Sequence, residues 1–155
     1  MKAKNILQAG GPAGMPLRSE PYLRQRILVV EDDDDVRRAN TLALTGSGYQ
    51  VDAAEDGAAA WDALQRNNYD LVVTDNDMPK VTGVELIQKV QAARMALPVI
   101  MATGAMPAEE FTRHRLQPPA MTLLKPYTFV ELLVAVKKVL RSASNSLGRR
   151  APVPD

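Results

Sequence analysis

The sequence predicts an α/β protein: a doubly wound, five-stranded parallel sheet with helices on both faces. Short continuous apolar runs recur along the chain, rich in β-branched residues and too short to form helices. Segments with helical apolar spacing separate them. Most of the runs are apolar at every position, which marks strands buried on both sides, the condition of a parallel sheet covered by crossover helices.

Ile27–Val30 is the first run. An acidic cluster follows it, then Val36, Ala39, Leu42 and Ala43 spaced as one helix face, with Gly46 and Gly48 to end the helix. Tyr49–Ala53 alternates as a strand with one buried face does. Asp56 stands near the N-cap of a helix over Ala58–Leu64. Leu71–Thr74 is the next apolar run, and Gly83 opens a helix carrying Val84, Leu86, Ile87 and Val90. Val99–Ala102 is a strand entered through Pro98. Pro107–Arg115 reads as a short, weak helix cut off by Pro118 and Pro119. Met121–Leu124 is the fifth strand, and Phe129, Leu132, Leu133, Val136 and Leu140 mark the last helix.

Residues 1–25, broken by Gly10, Gly11, Pro12, Gly14, Pro16 and Pro21, read as a flexible leader. The Ser/Gly/Pro-rich stretch 142–155 reads as a disordered tail. Either flank suits a passive overhang, the remnant of a longer chain or a docking arm. That leaves one domain over residues 26–141, and 155 residues leave no room for a DNA-binding output domain. The net charge of +1 hides a division: residues 1–26 carry +4, residues 27–140 carry −5, and the remainder +2. An acidic body is a poor match for nucleic acid. With no cysteine, disulfides, thiolate catalysis and zinc–thiolate sites are excluded, and the single histidine, His114, cannot build a multi-histidine metal site. No apolar run is long enough to span a bilayer, and the N-terminus lacks the apolar region of a secretion signal, so a cytoplasmic location is expected.

Right-handed crossovers place the C-terminal ends of all five strands on one edge, where open α/β sheets hold their sites. Those ends carry Glu31 and Asp32, Asp75, Thr103, and Lys125 followed by Pro126. Packing does not require such a convergence. Close carboxylates repel one another and call for a cation. Oxygen ligands alone favour a hard ion, Mg²⁺ or Mn²⁺, with positions left for water and a phosphoryl group.

Four segments, ILVVEDDDDVR (27–37), DLVVTDNDMPKVTG (70–83), PVIMATG (98–104) and LLKPY (123–127), together resemble the receiver domain of two-component response regulators, the CheY-like family. The string D-x-x-M-P-x-x-x-G from Asp75 to Gly83 is the most diagnostic. The resemblance implies a flavodoxin-like strand order 2-1-3-4-5. It implies that Asp75 is the phosphoacceptor, and that Mg²⁺ binds Asp32 directly, Glu31 largely through water, Asp75, and the backbone carbonyl of Asp77. Lys125 would bring positive charge to the phosphoryl oxygens, Thr103 would hydrogen-bond one of them, and Gly104 would leave room for the group. Its partners would be a histidine kinase or histidine phosphotransfer protein, docking on Val36, Arg37 and Asn40, and a downstream protein target, with a homodimer as a further state. Chemistry would be limited to self-phosphorylation and autodephosphorylation, the latter tuned at Asp77 and Ala105. The Lys125–Pro126 bond would be cis.

Three positions depart from the family pattern. Glu31 stands where Asp is commonest, Thr122 occupies the place of the switch aromatic, and the fourth helix is short and proline-interrupted. These leave the phosphorylation chemistry intact and put the usual relay in question. Two alternatives accompany the leading reading. One is a degenerate receiver that only docks. The other is a haloacid-dehalogenase-type phosphatase using Asp75 and Asp77. Beside the site, Asp34 and Asp35 fit the first turn of a helix, with Asp33 a contributor to site electrostatics; Trp61 and Met78 fit packing roles, and His114 a surface one.

Overall fold

Burial of the strand runs on both sides sets the architecture. In the computed structural model, which describes residues 24–150, every residue of β3 (Leu71–Asp75) and β4 (Val99–Thr103) is buried, as are the last four of β1 (Arg26–Val30). The edges are β2 (Gln50–Ala54) and β5 (Met121–Leu124). The order is β2-β1-β3-β4-β5, all pairs parallel, as the resemblance implied.

Alternate strand residues feed two cores. Leu28, Val30, Val72, Val99 and Met101 pack against α2 (Gly57–Arg66), α3 (Gly83–Ala92) and Phe111 of α4 (Ala108–Arg113). Ile27, Val29, Val73, Ile100 and Leu123 pack against Leu44 of α1 (Asp34–Gly46) and against Leu132, Val136 and Leu140 of α5 (Phe129–Arg150). Side chains start the helices where free N–H groups need acceptors. Asp33 accepts from the N–H groups of Asp35 and Val36, and Asp56 from that of Ala59. Thr82 with Glu85 and Thr128 with Glu131 form reciprocal caps. Trp61 packs on the first core with the Lys89 ammonium 5.6 Å from its ring centroid, and Met78 is buried in that core.

Three expectations are corrected. Leu42, spaced with Val36, Ala39 and Ala43 on the expected buried face of the first helix, is 65% exposed; Asn40 and Leu44 face inward instead. Two residues lie about 200° apart around a helix, so once Leu44 faces the sheet Leu42 cannot. The second strand was expected to alternate, yet only Ala54 of it is buried, because it is an edge. The stretch from Ser142, expected to be disordered, continues α5 to Arg150. A helix already nucleated on the core propagates at little cost through Ser, Ala, Asn and Leu. Residues 1–23 of the expected leader and 151–155 of the expected tail lie outside the described residues.

One close approach positions the loop after β3. A Cβ on Gly57 would lie 2.3 Å from the carbonyl oxygen of Val81 and 2.6 Å from its Cβ. The first turn of α2 therefore seats the β3–α3 loop against itself only because residue 57 has no side chain. Gly57→Ala is expected to lower stability by roughly 1–3 kcal/mol through overpacking, measured by urea unfolding. An unchanged midpoint would show that the loop yields freely.

Candidate functional site

The C-terminal ends of β1, β3, β4 and β5 bring the expected residues together. Carboxylate oxygens of Glu31, Asp32 and Asp75 lie within 4.8 Å of one another, with Glu31 and Asp75 buried and Asp32 exposed. Lys125 Nζ donates to Asp75 Oδ1 at 2.9 Å and stands 3.8 Å from Glu31 Oε1. Its backbone N–H donates to the Thr103 carbonyl at 2.9 Å, and Thr103 directly follows Ala102, the register partner of Asp75. The Lys125–Pro126 bond is cis. A Cβ placed on Gly104 would meet no atom within 4 Å, so the space beside Thr103 is open.

Asp77 differs from the others. Its side chain is exposed and outside the carboxylate cluster, and its carbonyl accepts no hydrogen bond among the described residues. An exposed Asp77 apart from Asp75 does not favour the phosphatase alternative, which needs it as a general acid beside the nucleophile. Asp33 caps α1 with its carboxylate and meets the site through its backbone, whose N–H donates to Glu31 Oε2 at 3.2 Å. Asp34 and Asp35 lie in the first turn of α1, and His114 caps the end of α4, exposed.

Three residues support the site in ways the sequence does not announce: Asn76, and Asn40 and Arg37, which the resemblance implies only as docking residues. Asn76 Oδ1 accepts from the N–H of Val84, its own N–H donates to Ala102, and its carbonyl accepts from Met78 and Gly83, so one residue ties β3, β4 and α3 around Asp75. An Asn directly after a strand was the available hint. Asn40, buried in α1, donates to the Tyr127 hydroxyl at 2.8 Å across 87 positions of sequence. Arg37 donates to the carbonyl of Glu31 and to Asp34, bracing the acidic turn.

Electrostatics tests the fit of a cation. Burial is the largest influence on Glu31; with the Asp75 charge and a hydrogen bond that protonated Glu31 donates to Asp32, it outweighs the Asp33 N–H and Lys125 and pushes the pKa up to about 7. Burial opposes the charge on Lys125, but its hydrogen bond to Asp75 and the charges of Glu31 and Asp75 hold its pKa above the ordinary value. One ammonium thus faces two buried carboxylates with the exposed Asp32 beside them, and the donors are all hard oxygen. This set fits Mg²⁺ or Mn²⁺.

A pH dependence follows. Without metal, the folded chain keeps the Glu31 proton up to about 7, whereas the unfolded chain releases it near 4.5. Between those values the native state binds more protons, so the contribution of Glu31 to stability is present at low pH and lost as pH rises through the window. Thermal melts of metal-free protein are expected to fall over that range. Mg²⁺ should raise the melting temperature more above the window than below it, where it must displace the proton. Equal Mg²⁺ shifts on both sides of the window would refute this account.

The sequence model of the family described as "Response regulator receiver domain" matches residues 27–137. The chain is 33% identical over 127 residues to "Response regulator MprA" of Mycobacterium sp. (strain KMS), covering 82% of this chain and 55% of that protein. It is 33% identical over 125 residues to "Response regulator receiver protein CpdR" of Brucella abortus, covering 77% of this chain and 99% of that one. The chain thus spans about half the length of the first relative and matches nearly all of the second. Among solved structures, response regulator protein TrrA from Thermotoga maritima, in complex with Mg(2+)-BeF, is 29% identical with a TM-score of 0.66, covering 74% of this chain and 98% of that one.

Proposed function

The chain belongs to the response regulator receiver domain family, and from that premise we propose that Asp75 accepts a phosphoryl group in an Mg²⁺-dependent reaction. The donor is a phosphohistidine on a histidine kinase or histidine phosphotransfer protein. The observation that carries this is Asp75 itself: 3% exposed, hydrogen-bonded to Lys125, and within reach of two further carboxylates. A buried aspartate among acids is costly as structure and useful as a nucleophile.

In the transfer, an Asp75 oxygen forms the new O–P bond as the P–N bond to histidine breaks. The imidazole leaves with the electron pair and takes up a proton. Lys125, already on Asp75 Oδ1, offsets charge gathering on the phosphoryl oxygens. Thr103 turns its hydroxyl to one of those oxygens. Glu31, Asp32, Asp75 and the Asp77 carbonyl would hold Mg²⁺, which supplies charge to the carboxylates and the transferring group. TrrA, a relative held with Mg(2+)-BeF, supports a phosphoryl-binding role by analogy.

The donor would dock at a groove of about 530 Å³ between α1 and the β5–α5 loop, lined by Val36, Ala39, Asn40, Pro126, Tyr127 and Phe129 beside Lys125. Of the docking residues implied by resemblance, Val36 lines this groove. Asn40 forms its floor, because its amide is turned onto Tyr127. With such a donor the chain would act in the cytoplasm. No helix among the described residues is long and apolar enough to cross a membrane.

Incubation with acetyl phosphate, followed by intact mass, tests the reading. One phosphoryl group per chain is expected with Mg²⁺ and none without it. Failure to form the adduct together with failure to bind beryllofluoride would overturn the reading and leave a docking module.

A further inference from the structure

We propose that Met106, held by the hydroxyl of Thr122, is the element that carries the state of Asp75 to the surface of this receiver, in place of an aromatic side chain. The inference rests on the reading that Asp75 takes a phosphoryl group.

Two contacts fix the loop after β4. The Thr103 hydroxyl, in a residue 2% exposed, donates to the Ala105 carbonyl at 3.0 Å and accepts from the Ala105 N–H at 3.3 Å. Both hydrogen-bonding roles of that hydroxyl are spent on its own loop. One residue further on, the Met106 sulfur accepts from the Thr122 hydroxyl at 3.3 Å. Thr122 lies on β5, in register with Met101 of β4, so this contact pins the loop to the edge of the sheet.

The two contacts differ in strength and are coupled through a single peptide. A thioether is a weak acceptor, easily given up. A phosphoryl oxygen on Asp75 is a charged acceptor and outcompetes the Ala105 carbonyl for the Thr103 proton. Once Thr103 turns, Ala105 loses both of its bonds to that hydroxyl, and Met106 is carried off Thr122. A threonine at position 122 is too short to swing between two packing sites. Methionine is unbranched with three rotatable bonds and can re-seat at little cost. The change appears where it can be read, since Met106 is 37% exposed and Leu124, on the same face of β5 as Thr122, is 61% exposed.

The test uses the full chain labelled with ¹³C-methyl methionine, the Met106 resonance being assigned from Met106→Leu. Beryllofluoride with Mg²⁺ should move the Met106 signal and leave that of Met95, after α3, in place. Thr122→Val removes the hydroxyl and keeps the shape. It should shift the Met106 signal toward the beryllofluoride position before any addition, while acetyl phosphate forms the adduct as in wild type. A Met106 signal that stays still although beryllofluoride binds, or that Thr122→Val leaves unchanged, overturns the proposal alone. No beryllofluoride binding and no adduct in any variant overturns the phosphoacceptor reading, and this proposal with it.

Discussion

Asp75→Asn is expected to abolish the acetyl phosphate adduct completely and, without Mg²⁺ at neutral pH, to raise the melting temperature. The first effect follows from chemistry: a carboxamide lacks the anionic oxygen that attacks phosphorus. The second follows from charge. Three carboxylates lie within 4.8 Å, one ammonium meets two of them, and the Asp75 charge is among the influences that push Glu31 up to about 7. Removing that charge lets Glu31 ionise nearer its ordinary pH, and the variant's stability should therefore decline less between pH 4.5 and 7 than wild type does. Intact mass and thermal melts with and without Mg²⁺ measure both. An adduct persisting on the variant would move the acceptor elsewhere. A lower melting temperature would show that Asp75 serves the fold through Lys125 more than it strains it.

Lys125→Ala should produce the opposite stability effect and a kinetic defect. It removes the hydrogen bond to Asp75 and the only cation of the described residues within 4.0 Å of the Glu31 carboxylate. A hydrogen bond between charged groups contributes about 1.5–3 kcal/mol; the lysine side chain is 34% exposed, so screening reduces the expected loss to roughly 1–2 kcal/mol. The Glu31 pKa should rise further, which extends the window of falling stability to higher pH. Losing one charge-stabilising donor should slow adduct formation by about 10²–10³-fold. Urea unfolding at two pH values and initial rates of adduct formation give the measurements, with Lys125→Arg as the variant expected to recover part of the rate. A rate within about threefold of wild type would remove Lys125 from the chemistry.

The strand runs were legible because a sheet buried on both faces demands apolar residues at every position, and Ile27–Val30, Leu71–Val73 and Val99–Ala102 meet that demand without ambiguity. The site was legible for a related reason. A parallel sheet with right-handed crossovers has one edge for all its strand ends, so Glu31, Asp32, Asp75, Thr103 and Lys125 could be placed together before any coordinate was known. Helix starts at Asp33, Asp56 and Thr82 are local devices, completed within three residues.

Contacts that bridge distant parts of the chain depended on the folded molecule. Asn40 meets Tyr127 across 87 positions, Thr122 meets Met106 around the end of a strand, and Gly57 at the start of α2 abuts Val81 of the β3–α3 loop. No periodicity or local propensity encodes such pairs, because each depends on how far a helix is rotated against the sheet. That same rotation turned Leu42 outward and Asn40 inward. The titration of Glu31 belongs with them: its identity can be read from residue 31, but the burial and the Asp75 charge that push it up to about 7, and the Lys125 charge that opposes them, exist only after β1, β3 and β5 have come together in one sheet.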